Sequence, residues 1–150
     1  MKILTKYHEE TEIEESKIIQ FEQGIPGFSD EQKFYILPFA EDGSFSIMQS
    51  VQTPALAFVI VSPFTFFPDY SFKLSDQNKE ALQIVKEDDV SVYVILTIQE
   101  PFQKTTANLQ GPLVINAEKK LGRQVLLNDS LYKTKHLLFS PSASEAKEEK

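Results

Sequence analysis

A chain of 150 residues with 41% hydrophobic and 25% charged content is enough for a single soluble domain with its own core. Its formal net charge of -7 repels a phosphate backbone and suits either a basic protein partner or plain solubility, so direct nucleic-acid binding is not expected. The absence of cysteine excludes disulfides, thiolate metal sites and cysteine nucleophiles, and no apolar run approaches the ~20 residues of a membrane span or forms a signal-peptide core. The expectation is a cytoplasmic protein with no membrane contact.

Lys2 to Tyr7 reads as a first strand, the acidic run Glu9 to Glu15 as a short charged second one around Ile13, and Lys17 to Phe21 as a third. The third leads into Gly24-Ile25-Pro26-Gly27-Phe28. Pro26 presets φ for the second position of a turn, and Gly27 supplies the positive φ that a type II turn needs next. Phe21 and Phe28 bracket the piece, so it packs against something. A buried connection between strands and a partner-contacting loop are both consistent with it.

Ser29 with Gln32 forms a capping-box pattern, which predicts one helical turn before the strand Phe34 to Leu37. Gly43 marks a turn, and Phe45 to Gln49 alternates with period two. Pro54 breaks the chain ahead of Ala57 to Val61, an apolar run typical of a strand buried on both faces. Two prolines in Pro63 to Phe72 make a regular central strand improbable there. The rings of Phe64, Phe66, Phe67, Tyr70 and Phe72 then either form an exposed interaction patch or plug one end of a barrel.

Ser75-Asp76 caps a helix whose Ala81, Leu82 and Val85 share a face. Asp88-Asp89 turns the chain into a strand with Val90, Val92, Val94, Leu96 and Ile98 on one side, ended by Pro101. Leu113 to Ile115 and Gln124 to Leu127 form a closing pair across Ala117 to Gly122. The expected fold is all-β and mostly antiparallel, a small barrel or sandwich with one or two short helices. It occupies residues 1–139, with a disordered acidic and polar tail over 140–150.

Catalytic signals are weak. His8 and His136 sit in no metal-ligand spacing, and Glu9-Glu10 and Glu14-Glu15 are expected to be solvated. There is no Gly-x-Ser-x-Gly elbow or phosphate-cradling loop, and Ser130 beside Asp129 is not by itself a nucleophile with a base. Asn128-Asp129-Ser130 matches a glycosylation sequon that is irrelevant without export. The expectation is a non-enzyme without cofactor or metal.

Several motifs together resemble the flagellar assembly factor FliW family. They are Phe21-x-x-Gly24-Ile25-Pro26-Gly27-Phe28, Pro63-Phe64-x-x-Phe67-Pro68-Asp69-Tyr70, Thr106-Ala107-Asn108-Leu109, Pro112, Ile115-Asn116 and Gly122-x-Gln124. They span the chain from Met1 to about Leu138; Glu22 departs from the pattern, where the family often carries proline. The resemblance implies a non-catalytic β-barrel-like domain that binds the RNA-binding translational repressor CsrA and relieves its repression of flagellin message. It also implies binding of flagellin, so that free flagellin releases CsrA in a partner switch. The candidate partner-binding residues are Gly24, Ile25, Pro26, Gly27 and Phe28 together with Phe66, Phe67, Pro68, Asp69 and Tyr70, on a protein monomeric by itself. Both segments are equally readable as structural parts. A small-molecule-binding β-barrel whose aromatics line a pocket is the alternative, and an enzyme with a perturbed carboxylate or histidine ranks third.

Overall fold

The computed structural model describes residues 1–7, 9–25, 27–39, 45–86, 90–127 and 132–138. His8, Pro26, Gly43, Asp88-Asp89, Asn128-Asp129-Ser130 and the expected tail from Ser140 lie outside them. A ribbon of β1 (Lys2–Ile3) and β2 (Thr11–Glu12) precedes the main sheet. That sheet contains β3 (Ile19–Gln20), β4 (Lys33–Pro38), β5 (Ser46–Ser50), β6 (Ala57–Val61), β7 (Val90–Thr97), β8 (Thr106–Ala107), β9 (Leu113–Asn116), β10 (Leu121–Gln124) and β11 (His136–Leu137).

Neighbouring strands run in the order β11-β8-β7-β6-β5-β4-β3-β10-β9, and β9 pairs again with β7. The second pairing closes β3, β4, β5, β6, β7, β9 and β10 into a seven-stranded barrel, which settles the choice between barrel and sandwich. Every pairing is antiparallel except β3 with β10, which meet at Leu121 and Gln20.

Side-chain alternation splits the core. Ile19, Phe21, Phe34, Met48, Ile60, Leu113 and Ile115 fill the barrel interior, with Ile36, Phe58, Tyr93 and Ile95 packed against them. Their neighbours Leu37, Ile47, Val59, Val61, Val94 and Leu96 point out of the β4–β7 wall, where Tyr70, Ala107, Leu109 and Leu138 cover them. A third cluster of Leu82, Val114, Val125 and Leu127 lies outside β9. Strand β6 is thus buried on both faces, as its apolar run predicts. Strand β7 is too, whereas its alternation predicts a single apolar side. Ile98 falls past the end of β7, where Gln99 N–H donates to Thr105 Oγ1 at 3.1 Å and bends the chain.

Several local expectations need correction. Helix α1 (Pro63–Phe66) is one turn at the first proline, and α2 (Asp76–Ala81) starts where expected, with Ser75 Oγ accepting from Asn78 N–H at 3.2 Å. It ends sooner than its apolar pattern predicts: Gln83 takes φ 55, so only Leu82 is buried while Val85 is 84% exposed. No helical turn follows Phe28. Gln32 donates to the Glu22 carbonyl at 2.9 Å, and Phe28 and Glu31 N–H close tight turns instead. The first three strands are each cut to two residues, and Glu15–Lys17 forms a 3-10 turn. The closing pair turns between Asn116 and Leu121, so its second strand is Leu121–Gln124, starting three residues before the expected Gln124.

Candidate partner-binding surface

The Gly24 turn divides between core and surface. Gly24 adopts φ +66, and a Cβ there would sit 2.5 Å from the Ser29 carbonyl oxygen, so glycine is required. Ile25 is buried in the barrel interior. Phe28 is 44% exposed and sets its inner edge against Phe58 at 5.9 Å. Phe58 meets Phe34 at 6.2 Å, and Phe34 meets Phe21 at 5.3 Å. This row of rings closes one end of the barrel. Gly24 and Ile25 are therefore structural, while Gly27 and the outer half of Phe28 are reachable by a partner. Pro26 lies outside the described residues.

The second segment follows α1. Phe67 N–H donates to the Pro63 carbonyl at 2.7 Å and Tyr70 N–H to that of Phe67 at 2.9 Å, two successive turns without strand pairing. Tyr70 is buried, donates its hydroxyl to the Leu109 carbonyl at 2.7 Å and meets Tyr132 edge to face at 4.6 Å. Burial, with Tyr132 adding to it, raises its phenol well above the usual range. Phe66 and Phe67 are half-buried on the outer wall, and Pro68 and Asp69 are exposed. These aromatics do not plug a barrel end: they lie on the outside of the wall, on the opposite face from Phe28's partners. The two candidate segments thus form two surfaces, not one.

The wall carries rings that local pattern did not single out. Phe66 contacts Phe45 at 5.9 Å, Phe45 contacts Phe102 at 6.0 Å, and Phe39 N–H donates to the Phe45 carbonyl at 3.0 Å. Phe39 packs against Tyr7 at 5.5 Å, the two rings tilted by 52°. Phe39 is 47% exposed, and Tyr7 and Phe102 42% each, so the Phe66 segment continues into a solvent-facing aromatic patch. The one available signal was position: Phe39 and Phe102 each follow a proline at or past a strand end.

The remaining motif residues hold the fold. Asn108 Oδ1 accepts from Gln110 and Gly111 N–H at 3.1 and 2.9 Å, and Gln124 Nε2 donates to the Gly111 carbonyl at 2.9 Å. Gly122 lets Phe21 approach, since a Cβ would lie 2.6 Å from its Cζ. Buried Asn116 donates to the carbonyls of Leu82 and Gln83 and accepts from Glu118 and Lys119 N–H.

Electrostatically, Glu9, Glu10, Glu12, Glu14 and Glu15 are all exposed. Lys17 hydrogen-bonds Glu14 at 2.8 Å and holds its carboxyl below the usual range. Burial, helped by Lys133, lowers the pKa of His136, whose Nε2 accepts from Lys133 N–H at 2.7 Å. Among the described residues no three His, Cys, Asp or Glu side chains cluster as a metal site, and no helix is long and apolar enough to cross a membrane. Phe21, Phe34, Met48, Ile60 and Leu113 occupy the barrel interior, where a ligand-binding barrel keeps its cavity.

Comparison with known proteins agrees with this architecture. The family model described as FliW protein matches residues 2–138. The flagellar assembly factor FliW of Geobacillus kaustophilus is 58% identical over 139 residues, covering 93% of this chain and 96% of that protein. The Bacillus subtilis protein of the same name is 50% identical over 136 residues, covering 91% and 95%. A crystal structure of the flagellar assembly factor FliW superposes with a TM-score of 0.89 at 54% identity, covering 95% of this chain and 99% of that one. With the motifs placed in a closed barrel and both sequence and structure matched almost end to end, the chain belongs to the FliW family of flagellar assembly factors.

Proposed function

We propose that the protein regulates flagellar assembly by a partner switch, binding the translational repressor CsrA and, in exchange, flagellin. The observation that carries the reading is the pair of surfaces found in a chain of this family. Phe28 reaches solvent at one barrel end, and Phe66, Phe67, Pro68 and Asp69 reach it on the outer wall. Aromatic rings half-packed on a rigid barrel lose little conformational freedom when a partner covers them, which suits protein recognition. The switch needs no catalysis. If the two partners exclude each other, each weakens the other's binding by the same factor.

The acidic run supports a second element of the reading. Held beside a basic RNA-binding protein, Glu9, Glu10, Glu12, Glu14 and Glu15 repel RNA without covering the RNA site. Neutralising all five then weakens relief of repression while CsrA binding persists; unchanged relief sinks this element. The reading as a whole is tested by calorimetric titration with purified CsrA, alone and after prebinding flagellin. Loss of CsrA binding in the presence of flagellin is expected. Binding that flagellin does not alter removes the switch, and absence of any CsrA binding removes the proposed function.

A further inference from the structure

We propose that the groove between the Gly24 turn and β10 is a docking site for an extended acidic segment of a partner protein, anchored by Arg123. The groove has a volume of about 360 Å³ and runs between Gly24, Ile25 and Ser29 on one side and Arg123 to Leu126 on the other. Arg123 is the chain's one arginine. Because Gly122 faces Phe21 in the interior, strand alternation turns the Arg123 side chain outward.

In a protein of net charge -7 a guanidinium would be expected to find a carboxylate. Among the described residues it finds none: the ion pairs there are Met1 with Glu12 and Lys17 with Glu14, and the Arg123 side chain makes no hydrogen bond there, its main chain pairing with Val114 in the ladder. Its neighbours in the groove are the neutral amides Gln23, Gln124 and Asn78, with no carboxylate in the lining. Arg123 also borders a smaller adjoining cleft together with Glu22, whose carboxylate lies beyond ion-pair distance. A half-buried fork of N–H donors without acceptors among the described residues fits a carboxylate in two-point geometry.

The backbone beside it fits an extended chain. Val125 and Leu127 N–H donate to the carbonyls of Pro112 and Gln110 at 2.9 and 2.8 Å. The antiparallel alternation therefore turns the main-chain groups of Gln124 and Leu126 to the other edge, toward the groove. Strand β3 covers that edge only as far as Leu121, because the chain leaves at Phe21 to form the turn. Leu126, 64% exposed, offers an apolar contact at the rim. Open edge, cation and apolar rim together define the occupant: an extended peptide carrying Asp or Glu next to an apolar residue, added alongside β10. The groove shares the Gly24 turn with the Phe28 surface, but its anchors Arg123 and Leu126 belong to neither surface assigned to the partner switch, so a negative titration with CsrA or flagellin leaves it intact.

The test is selection of random octapeptides displayed on phage against the full folded chain and, in parallel, against R123Q and L126E. The wild type is expected to enrich peptides that place Asp or Glu beside apolar residues, at least tenfold over both variants, each verified as folded by its thermal melt. A synthesised winner should shift the amide resonances of Gln23 to Ile25 and of Gln124 and Leu126. No enrichment, enrichment of basic or uncharged sequences, equal enrichment on R123Q, or resonance shifts centred on Phe39 and Phe102 would each overturn the assignment.

Discussion

Replacing Asn116 by alanine tests how the β9–β10 hairpin and α2 are joined. The side chain is buried and spans four main-chain groups: Nδ2 donates to Leu82 O at 2.8 Å and Gln83 O at 3.1 Å, and Oδ1 accepts from Glu118 and Lys119 N–H at 3.1 and 3.2 Å. Glu118, Lys119 and Gln83 are exposed, so water replaces most of what they lose. Leu82 is buried, and its carbonyl is left without a donor, which costs about 1–3 kcal/mol. With a further ~1 kcal/mol from the other three bonds, the total is about 2–4 kcal/mol. At roughly 2–4 °C per kcal/mol for a domain of this size, the midpoint should fall by about 4–16 °C.

Asn116→Asp separates the two halves of the network. It keeps an acceptor for Glu118 and Lys119 but sets a carboxylate against two carbonyl oxygens, which favours its protonated form. Its folded pKa is then raised above the unfolded value of about 3.9, so the folded state binds more protons and stability recovers as pH falls. Thermal and urea melts followed by circular dichroism at neutral pH and near pH 4 measure both effects. An alanine variant within about 0.5 kcal/mol of wild type, or an aspartate variant whose deficit relative to wild type ignores pH, refutes the bridging role assigned to Asn116.

Gly122→Ala pushes a methyl group to within 2.6 Å of Phe21 Cζ and 3.1 Å of Ile19 Cγ2, and should cost about 1–3 kcal/mol by overpacking. Adding Phe21→Leu should recover part of that loss, whereas strictly additive losses in denaturant melts would show that the two sites do not touch. Phe67→Ala removes a half-buried ring, so about 1–2 kcal/mol of stability should go, yet affinity for the proposed partners, CsrA or flagellin, should fall at least tenfold. A larger melting shift with residual affinity unchanged contradicts the contact role. His136 is held neutral with its pKa below the unfolded value of about 6.5, so its contribution is complete above that pH and declines as pH falls through it. The wild-type midpoint should therefore drop more than that of His136→Gln between pH 7.5 and 5.5, and parallel drops would remove His136 as the cause.

Short-range chemistry makes part of this fold legible from local residue patterns. The Ser75 cap lies in one dipeptide, the two-faced burial of β6 in one apolar pentapeptide, and the positive φ of Gly27 in one turn. The order of its motifs carried the family as well. Helix α2 marks the limit of local reading: the pattern continued to Val85, but Gln83 turned left-handed and Asn116, far along the chain, captured the freed carbonyls.

Closure and sidedness come from long-range strand pairing. The barrel depends on β7 meeting β9 and on the parallel contact between Gln20 and Leu121, pairings that no window of sequence contains. The same closure chose which side of each alternating strand became interior. It sent Ile25 inward and left Phe28 at the rim, and it placed Tyr7, Phe39 and Phe102 with Phe66 on one outer patch. It also opened the edge of Gln124 to Leu126 beside Arg123, because β3 departs before it can cover that edge. Residue type sets what a side chain can do; long-range strand pairing sets what it faces, and that is a property of the closed barrel rather than of any segment in it.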